Sequence, residues 1–366
     1  MRGLLYSVPL CSLVLAAAPA RAQQKPAAKP AAARPAPNAV KGQGQLAGSS
    51  GQFGTVYTLQ NGFNFELLSA HYTLEPFVAY ETQIAGTDQK LLVAEIAIKN
   101  VEKADNFWNM DGMFTLVDDK GQLYPGGALA LQSKAADSAS ATLRPGQGLG
   151  QPGLNDPLRV AWVVPGKARI VKIMLNKGRL GQKEEVLRYY VAGATKAEAG
   201  EEGDPKNVIA PLPPEARDPS DKTGALAAEL GKGSPGAYAP SGYFALRLDG
   251  FAFSTEPLGG NAPDDGKKFA IATVTAKNLT EKTLSMFDVQ GGDQPLYEIT
   301  DSDGERAKPV LYRKAKRDDD PEHEFKKGDE YTFRVVFSLP KDATVKTLVL
   351  GTGAARRWSY DVSATK

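Results

Sequence analysis

The sequence predicts an all-β protein of two tandem β-sandwich domains, and three observations carry that prediction. Apolar residues recur at every second position in a series of short blocks, those blocks occur twice in the same order, and no stretch keeps a helical apolar period over any length. The blocks are short and separated by Gly, Pro and Asp clusters, as strands joined by turns require.

The first block, Lys90 to Asn100, places Leu92, Ala94, Ile96 and Ile98 on one face, and Lys268 to Asn278 places Ala270, Ala272, Val274 and Ala276 in matching positions before the same Lys-Asn ending. Next, the strand Phe114 to Val117 runs into Asp118-Asp119-Lys120-Gly121, and Leu296 to Ile299 runs into Thr300-Asp301-Ser302-Asp303-Gly304. A glycine at that point suits the left-handed backbone of a tight turn. Leu143-Arg144-Pro145-Gly146 then corresponds to Phe325-Lys326-Lys327-Gly328. The strand that each turn feeds carries Leu158, Val160, Trp162 and Val164 in one copy and Phe333, Val335, Phe337 and Leu339 in the other, each ending at a proline. Ile170 to Leu175 and Val345 to Leu350 follow those prolines. Strands over Phe63 to Tyr72 and Tyr243 to Phe253 before these blocks, and over Val186 to Val191 and Arg357 to Val362 after them, give roughly seven per copy. An immunoglobulin-like sandwich is the most economical closure for that number.

The expected organisation is a signal peptide over 1–22, a disordered Ala/Pro/Lys spacer over 23–51, sandwich 1 over 52–192, a Pro/Gly/charge-rich linker over 193–240 with one short helix near Ala225 to Leu230, and sandwich 2 over 241–363.

The second copy, from Lys267 to Leu350, resembles the bacterial extracytoplasmic immunoglobulin-like domain family of unknown function. The resemblance rests on Lys277-Asn278, Asp303-Gly304, Lys326-Lys327-Gly328 and Val336-Phe337-Ser338-Leu339-Pro340; the first copy matches more loosely, with Arg144-Pro145-Gly146 at the lysine turn. It implies a cell-envelope protein, signal-bearing or lipid-anchored, with no assigned catalytic residues.

The N-terminus agrees with export. Arg2 precedes an apolar stretch, Leu4 to Ala18, too short to span a bilayer, and Ala20-Arg21-Ala22 is a small-residue cleavage site. Cys11, the only cysteine, lies inside that stretch and Val8-Pro9-Leu10 before it does not fit a lipidation site, so the mature chain has no thiol for disulfide, nucleophile or zinc chemistry. Of 44 basic and 42 acidic residues, Arg2 and Arg21 leave with the signal, so the mature charge is near zero and does not steer the chain to nucleic acid or anionic lipid.

Candidate chemistry is sparse. Gly231-Lys232-Gly233-Ser234-Pro235-Gly236 spells G-x-G-x-x-G but contains a proline and follows no buried strand, so it reads as linker and no cofactor is expected. Asp301-Ser302-Asp303-Gly304-Glu305 offers alternating oxygens, but the twelfth position is Tyr312 rather than the glutamate of a calcium loop, which leaves a solvated turn as the expectation and no metal site. His71 and His323 belong to different copies, and no Gly-x-Ser-x-Gly elbow accompanies either. The remaining candidates are aromatics near strand ends, with Phe107, Trp108, Arg357 and Trp358 as possible ligand contacts. The function expected is therefore that of an exported, non-enzymatic module binding an unidentified protein or cell-surface polymer. The alternatives are a passive structural spacer and, behind it, a hydrolase with an unrecognised carboxylate site.

Overall fold

The computed structural model describes residues 44–45, 50–79, 82–109, 113–131, 140–150, 158–177, 185–291 and 297–365. The expected signal peptide and nearly all of the expected spacer lie outside them. In the first half the strands are β1 (Gly44–Gln45), β2 (Tyr57–Thr58), β3 (Phe63–Thr73), β4 (Gln89–Asn100), β5 (Asn106–Asn109), β6 (Phe114–Asp118), β7 (Leu123–Pro125), β8 (Ala128–Leu131), β9 (Ser140–Leu143), β10 (Gly148–Leu149), β11 (Leu158–Pro165), β12 (Ile170–Lys177) and β13 (Glu185–Tyr190). A connector follows with helix α1 (Lys196–Ala199) and strand β14 (Ile209–Ala210). The second half has β15 (Gly231–Lys232), β16 (Tyr238–Ser241), β17 (Phe244–Ser254), β18 (Lys267–Asn278), β19 (Leu284–Ser285), helix α2 (Met286–Gln290), β20 (Glu298–Asp301), β21 (Arg306–Ala307), β22 (Pro309–Lys314), β23 (Glu324–Phe325), β24 (Glu330–Pro340), β25 (Val345–Leu350) and β26 (Trp358–Asp361).

The two halves have one topology. One sheet runs β2-β3-β4-β11-β8 in the first and β16-β17-β18-β24-β22 in the second; the facing sheet runs β13-β12-β6-β7 and β26-β25-β20-β21. Taken in chain order, these are the A-B-E-D and G-F-C arrangements of an immunoglobulin-like sandwich. The sheets close on a shared core. Phe65 of β3 lies 5.9 Å from Phe114 of β6, and Phe114 lies 5.7 Å from Trp162 of β11; in the second half Tyr297, just before β20, lies 6.4 Å from Phe333 of β24. The alternating residues of β11 and β24 all point inward and are buried. Even the irregularities repeat, with a bulge between Leu67 and Ser69 in β3 and between Leu248 and Gly250 in β17.

The duplicated motifs are braces. Asn100 and Asn278 are buried and do the same work: the Asn100 side chain donates to the carbonyls of Ala104 and Leu143 and accepts from Glu102 N–H, while Asn278 donates to Lys282 and Phe325 and accepts from Thr280 N–H. Gly146 and Gly328 each donate a backbone N–H to the carbonyl of that asparagine. Asp118 Oδ1 accepts from the N–H groups of Lys120 and Gln122, and Asp301 Oδ1 from Asp303 and Glu305, which closes the turn at Gly121 and Gly304. Asp118 and Asp301 therefore each spend Oδ1 on backbone donors, while Asp118 Oδ2 accepts from the Tyr124 hydroxyl and Asp119 pairs with Arg169.

Each half also opens on the same lead-in. Gly51 N–H donates to Arg188 carbonyl on β13, Gly233 N–H to Ser359 carbonyl on β26, and three residues on Gly54 and Gly236 donate to Leu67 and Leu248. A Cβ on Gly51 would stand 2.7 Å from the Tyr189 ring, and one on Gly233 would stand 2.4 Å from the Tyr360 ring. The G-x-G-x-x-G spelling is thus a strand passing over two aromatic rings, since Gly231 sits on Trp358 in the same way.

The segment expected as a linker over 193–240 is corrected on two points. Its last ten residues include the lead-in strands β15 and β16 of sandwich 2, and β14 in the remainder joins a sheet of sandwich 1. Its periodicity is indeed broken, but specific hydrogen bonds replace periodicity. Buried Asn207 accepts from Phe53 N–H and donates to the carbonyls of Gly51 and Tyr190, and β14 adds in parallel to the edge of β3 at Ala70 and His71. Leu212, Ala216, Ala225 and Ala227 are buried. Ala225 to Leu230 form no helix, because Asp221 accepts from the N–H groups of Thr223 and Leu226 and bends the segment back, where Ala227 bridges to Arg217. The helices of this region are instead α1, held by a capping box between Thr195 and Glu198, and a single 3-10 turn over Pro214–Ala216.

Two cations lock this connector at the junction of the sandwiches. Lys90 is fully buried, donates to Ala225 carbonyl, and lies 4.1 Å from the centre of the Tyr72 ring. Arg356, on the loop before β26, donates to Ala228 carbonyl and to Gln89 carbonyl, so that one guanidinium spans sandwich 1, the connector and sandwich 2. Burial pushes the Lys90 ammonium down to about 7 against the pull of Asp221, and the Arg356 guanidinium down to about 10 against Asp88. Beside them Gly86 bridges to Ala355 and Thr87 N–H donates to Ala354 carbonyl.

Candidate functional site

The four aromatic and basic residues expected at a ligand surface do not come together. Trp108 and Trp358 are corrected to core positions, at 1% and 4% exposure: Trp108 packs edge-on to Phe63 at 4.9 Å, and Trp358 donates its Nε1–H to Pro240 carbonyl at 2.6 Å. The physical reason is strand phase, because Trp358 and Tyr360 alternate with exposed Asp361 and half-exposed Ser359 and so face the core. Arg357 is half-exposed beside Trp358. Phe107 is the one large exposed ring of the four, at 61%, and stands on β5 of sandwich 1. Tyr189 is buried and Tyr190 nearly so.

A cleft that sequence reasoning missed lies where the sandwiches meet. It encloses about 450 Å³, with one wall from Ala85 and Gln89 of sandwich 1 and the other from Tyr243, Phe287, Thr352 and Ala355 of sandwich 2. Phe287 is 62% exposed on α2, whose first turn is fixed by a capping box: Asp288 accepts from the backbone N–H and the hydroxyl of Ser285. Tyr243 is half-buried, with the Lys282 ammonium 5.1 Å from its ring centre. Thr352 spends its hydroxyl on Ser241 carbonyl and its N–H on the Ser241 hydroxyl. Asp288 and Thr352 are thus tied to the scaffold, as is Gln89, whose Oε1 accepts from Gly86 N–H, and what meets a ligand is aromatic and aliphatic surface with backbone edges and the Tyr243 hydroxyl.

His71 lies in β3, its ring held below the ordinary histidine value by burial, whereas His323 stacks on Tyr331 at 4.5 Å and meets Phe325 edge-on at 4.6 Å. Among the described residues no three His, Cys, Asp or Glu side chains gather as a metal site would need, and no helix is long and apolar enough to cross a membrane.

No protein-family model matches the chain, and no curated protein matches it. Among solved structures, an uncharacterized beta-sandwich protein from Clostridium difficile 630 is similar to it at 14% identity, over 35% of this chain and 91% of that one, with a TM-score of 0.28.

Proposed function

We propose that this is an exported, non-catalytic binding protein of the bacterial cell envelope, and that it takes apolar or aromatic groups of a protein or surface polymer in the cleft between its sandwiches. The observation that carries the reading is a recess whose walls come from different sandwiches, with Phe287 and Tyr243 presented on one side and their polar neighbours already committed. Export rests on the N-terminal pattern around Leu4 to Ala22 and on the family resemblance of the second copy.

A photo-crosslinking residue at Phe287, installed in the exported protein in cells, tests this directly. The same residue at Leu123, exposed on β7 and outside the cleft lining, is the control. One abundant adduct from position 287 and none from 123 supports the reading; equal, sparse adducts from both sites overturn it. The burial of Trp108 and Trp358 favours a second reading, a passive spacer, for which neither position would give a stoichiometric adduct.

A further inference from the structure

The duplication lets one sandwich report what the other lacks. In sandwich 1 the outer edge of β3 carries two added strands, β2 over Phe65 and Asn64 and then β14 over Ala70 and His71. In sandwich 2 the edge of β17 carries β16 over Phe244 to Arg247, while Gly250 to Ser254, the equivalents of Ser69 to Thr73, have no strand on that side among the described residues. We infer that this open edge of β17 takes a parallel strand from a partner protein: an extended apolar stretch that runs into proline and carries a carboxylate.

The occupant's chemistry is read from its counterpart. Ile209-Ala210-Pro211-Leu212 fills the equivalent seat, and after it the connector presents Ala225 carbonyl to Lys90 with Asp221 close enough to act on its charge. In sandwich 2 the same pair of side chains waits: Lys268 sits 4.4 Å from the centre of the Phe253 ring, as Lys90 does over Tyr72, but Lys268 and Phe253 are half-exposed where Lys90 and Tyr72 are buried. Phe251 stands where sandwich 1 has Ala70 and adds a half-exposed ring, 5.7 Å from Phe253, for an incoming apolar side chain.

Bulges and edge prolines are the usual means of blocking an edge. The β17 bulge does not block this one, since β3 has the same bulge and still accepts β14. The opposite edge of the sheet, β22, begins at Pro309, whereas Gly250 to Ser254 contain no proline. Main-chain hydrogen bonds along such an edge supply affinity, and alternate side chains supply selectivity. The chain's own N-terminal segment is a poor occupant: from Gln23 to Ser50 it carries Lys25, Lys29, Arg34 and Lys41 and no acid, which Lys267 and Lys268 would repel.

The test uses a labelled synthetic peptide copying Val208 to Glu215 as the probe, the full chain as receptor, fluorescence anisotropy for binding and amide hydrogen exchange for location. Expected are saturable binding, slowed exchange over Gly250 to Ser254, and at least a tenfold loss of affinity in Ala252→Pro. A peptide N-methylated at both the Ile209 and Ala210 positions, whose N–H groups point to opposite edges of an extended strand so that one of them must face β17, should bind at least tenfold more weakly to the unaltered protein, which keeps the test decisive should Ala252→Pro fail to fold. No binding, or protection at Ala70 and His71 or around Phe287 in place of Gly250 to Ser254, overturns the inference. The cleft reading stands or falls separately, on crosslinks from Phe287.

Discussion

The two sandwiches share a frame down to individual hydrogen bonds and differ in what covers one end. At that end of sandwich 1, Lys90 and Tyr72 are sealed under the connector; at the same end of sandwich 2, Lys268 and Phe253 remain half-exposed. The difference shows which residues serve the fold and which serve assembly. Asn100 and Asn278, Asp118 and Asp301, Gly51 and Gly233 recur with unchanged partners and so belong to the fold. Lys90 and Lys268 recur with different partners, and Arg356 has no basic counterpart, so these belong to the way the halves are joined.

Breaking the join should have the largest effect. Arg356→Ala leaves the carbonyls of Ala228 and Gln89 without their donor in a buried junction and should cost about 3 kcal/mol, at roughly 1–3 per unsatisfied group. Denaturant titration followed by one probe in each half should show two separated transitions where the unaltered chain shows one.

Removing the repeated brace should cost slightly less and, more to the point, the same amount twice. Asn100→Ala and Asn278→Ala each strip two carbonyls and one N–H of a partner, and each should lower stability by about 2–3 kcal/mol in chemical denaturation. Losses that differ by more than about 1 kcal/mol would contradict the structural equivalence of the two motifs.

The lysine pair separates by pH. Lys90 in the folded state titrates near 7, below the ordinary lysine value, so between about pH 7 and pH 9 the unfolded chain binds more protons and stability should rise with pH; below pH 7 both states are protonated and the slope vanishes. Lys90→Met should flatten that rise, and Lys268→Met should leave it unchanged. A slope that survives Lys90→Met would place its source elsewhere.

The smallest effect expected is at Tyr189 and Tyr360, buried equivalents whose hydroxyls have no hydrogen-bond partner among the described residues. Phenylalanine at either position should leave stability unchanged or raise it by up to about 1 kcal/mol, read from thermal midpoints.

Much of this frame was legible in the residues. Alternation in Leu158 to Val164 and Phe333 to Leu339 announced buried central strands, and the Lys-Asn endings marked equivalent points of the two copies. The work done by those asparagines was not legible, since their partners lie some forty residues away, on strands whose pairing only the fold defines. The connector is not legible in the sequence because its order comes from single side chains, Asn207 and Asp221, satisfying backbone groups, and not from any apolar period. Phase would have corrected the aromatics: Trp358 and Tyr360 lie two apart, the spacing of one strand face, whereas Phe107 and Trp108 are adjacent and must point oppositely. The cleft could not be read at all, as its walls come from residues 84–89 and 242–355 and meet only after both halves have folded.

Arg356, Lys90 and the connector hold the two sandwiches to each other through buried hydrogen bonds, and a spin-label distance measurement tests most directly whether that join is rigid. With Cys11→Ser as background, labels placed at Leu123 of sandwich 1 and Val310 of sandwich 2, both exposed, should give a single narrow distance distribution that broadens in Arg356→Ala. A distribution already broad in the unaltered chain, and indifferent to Arg356, would contradict the account.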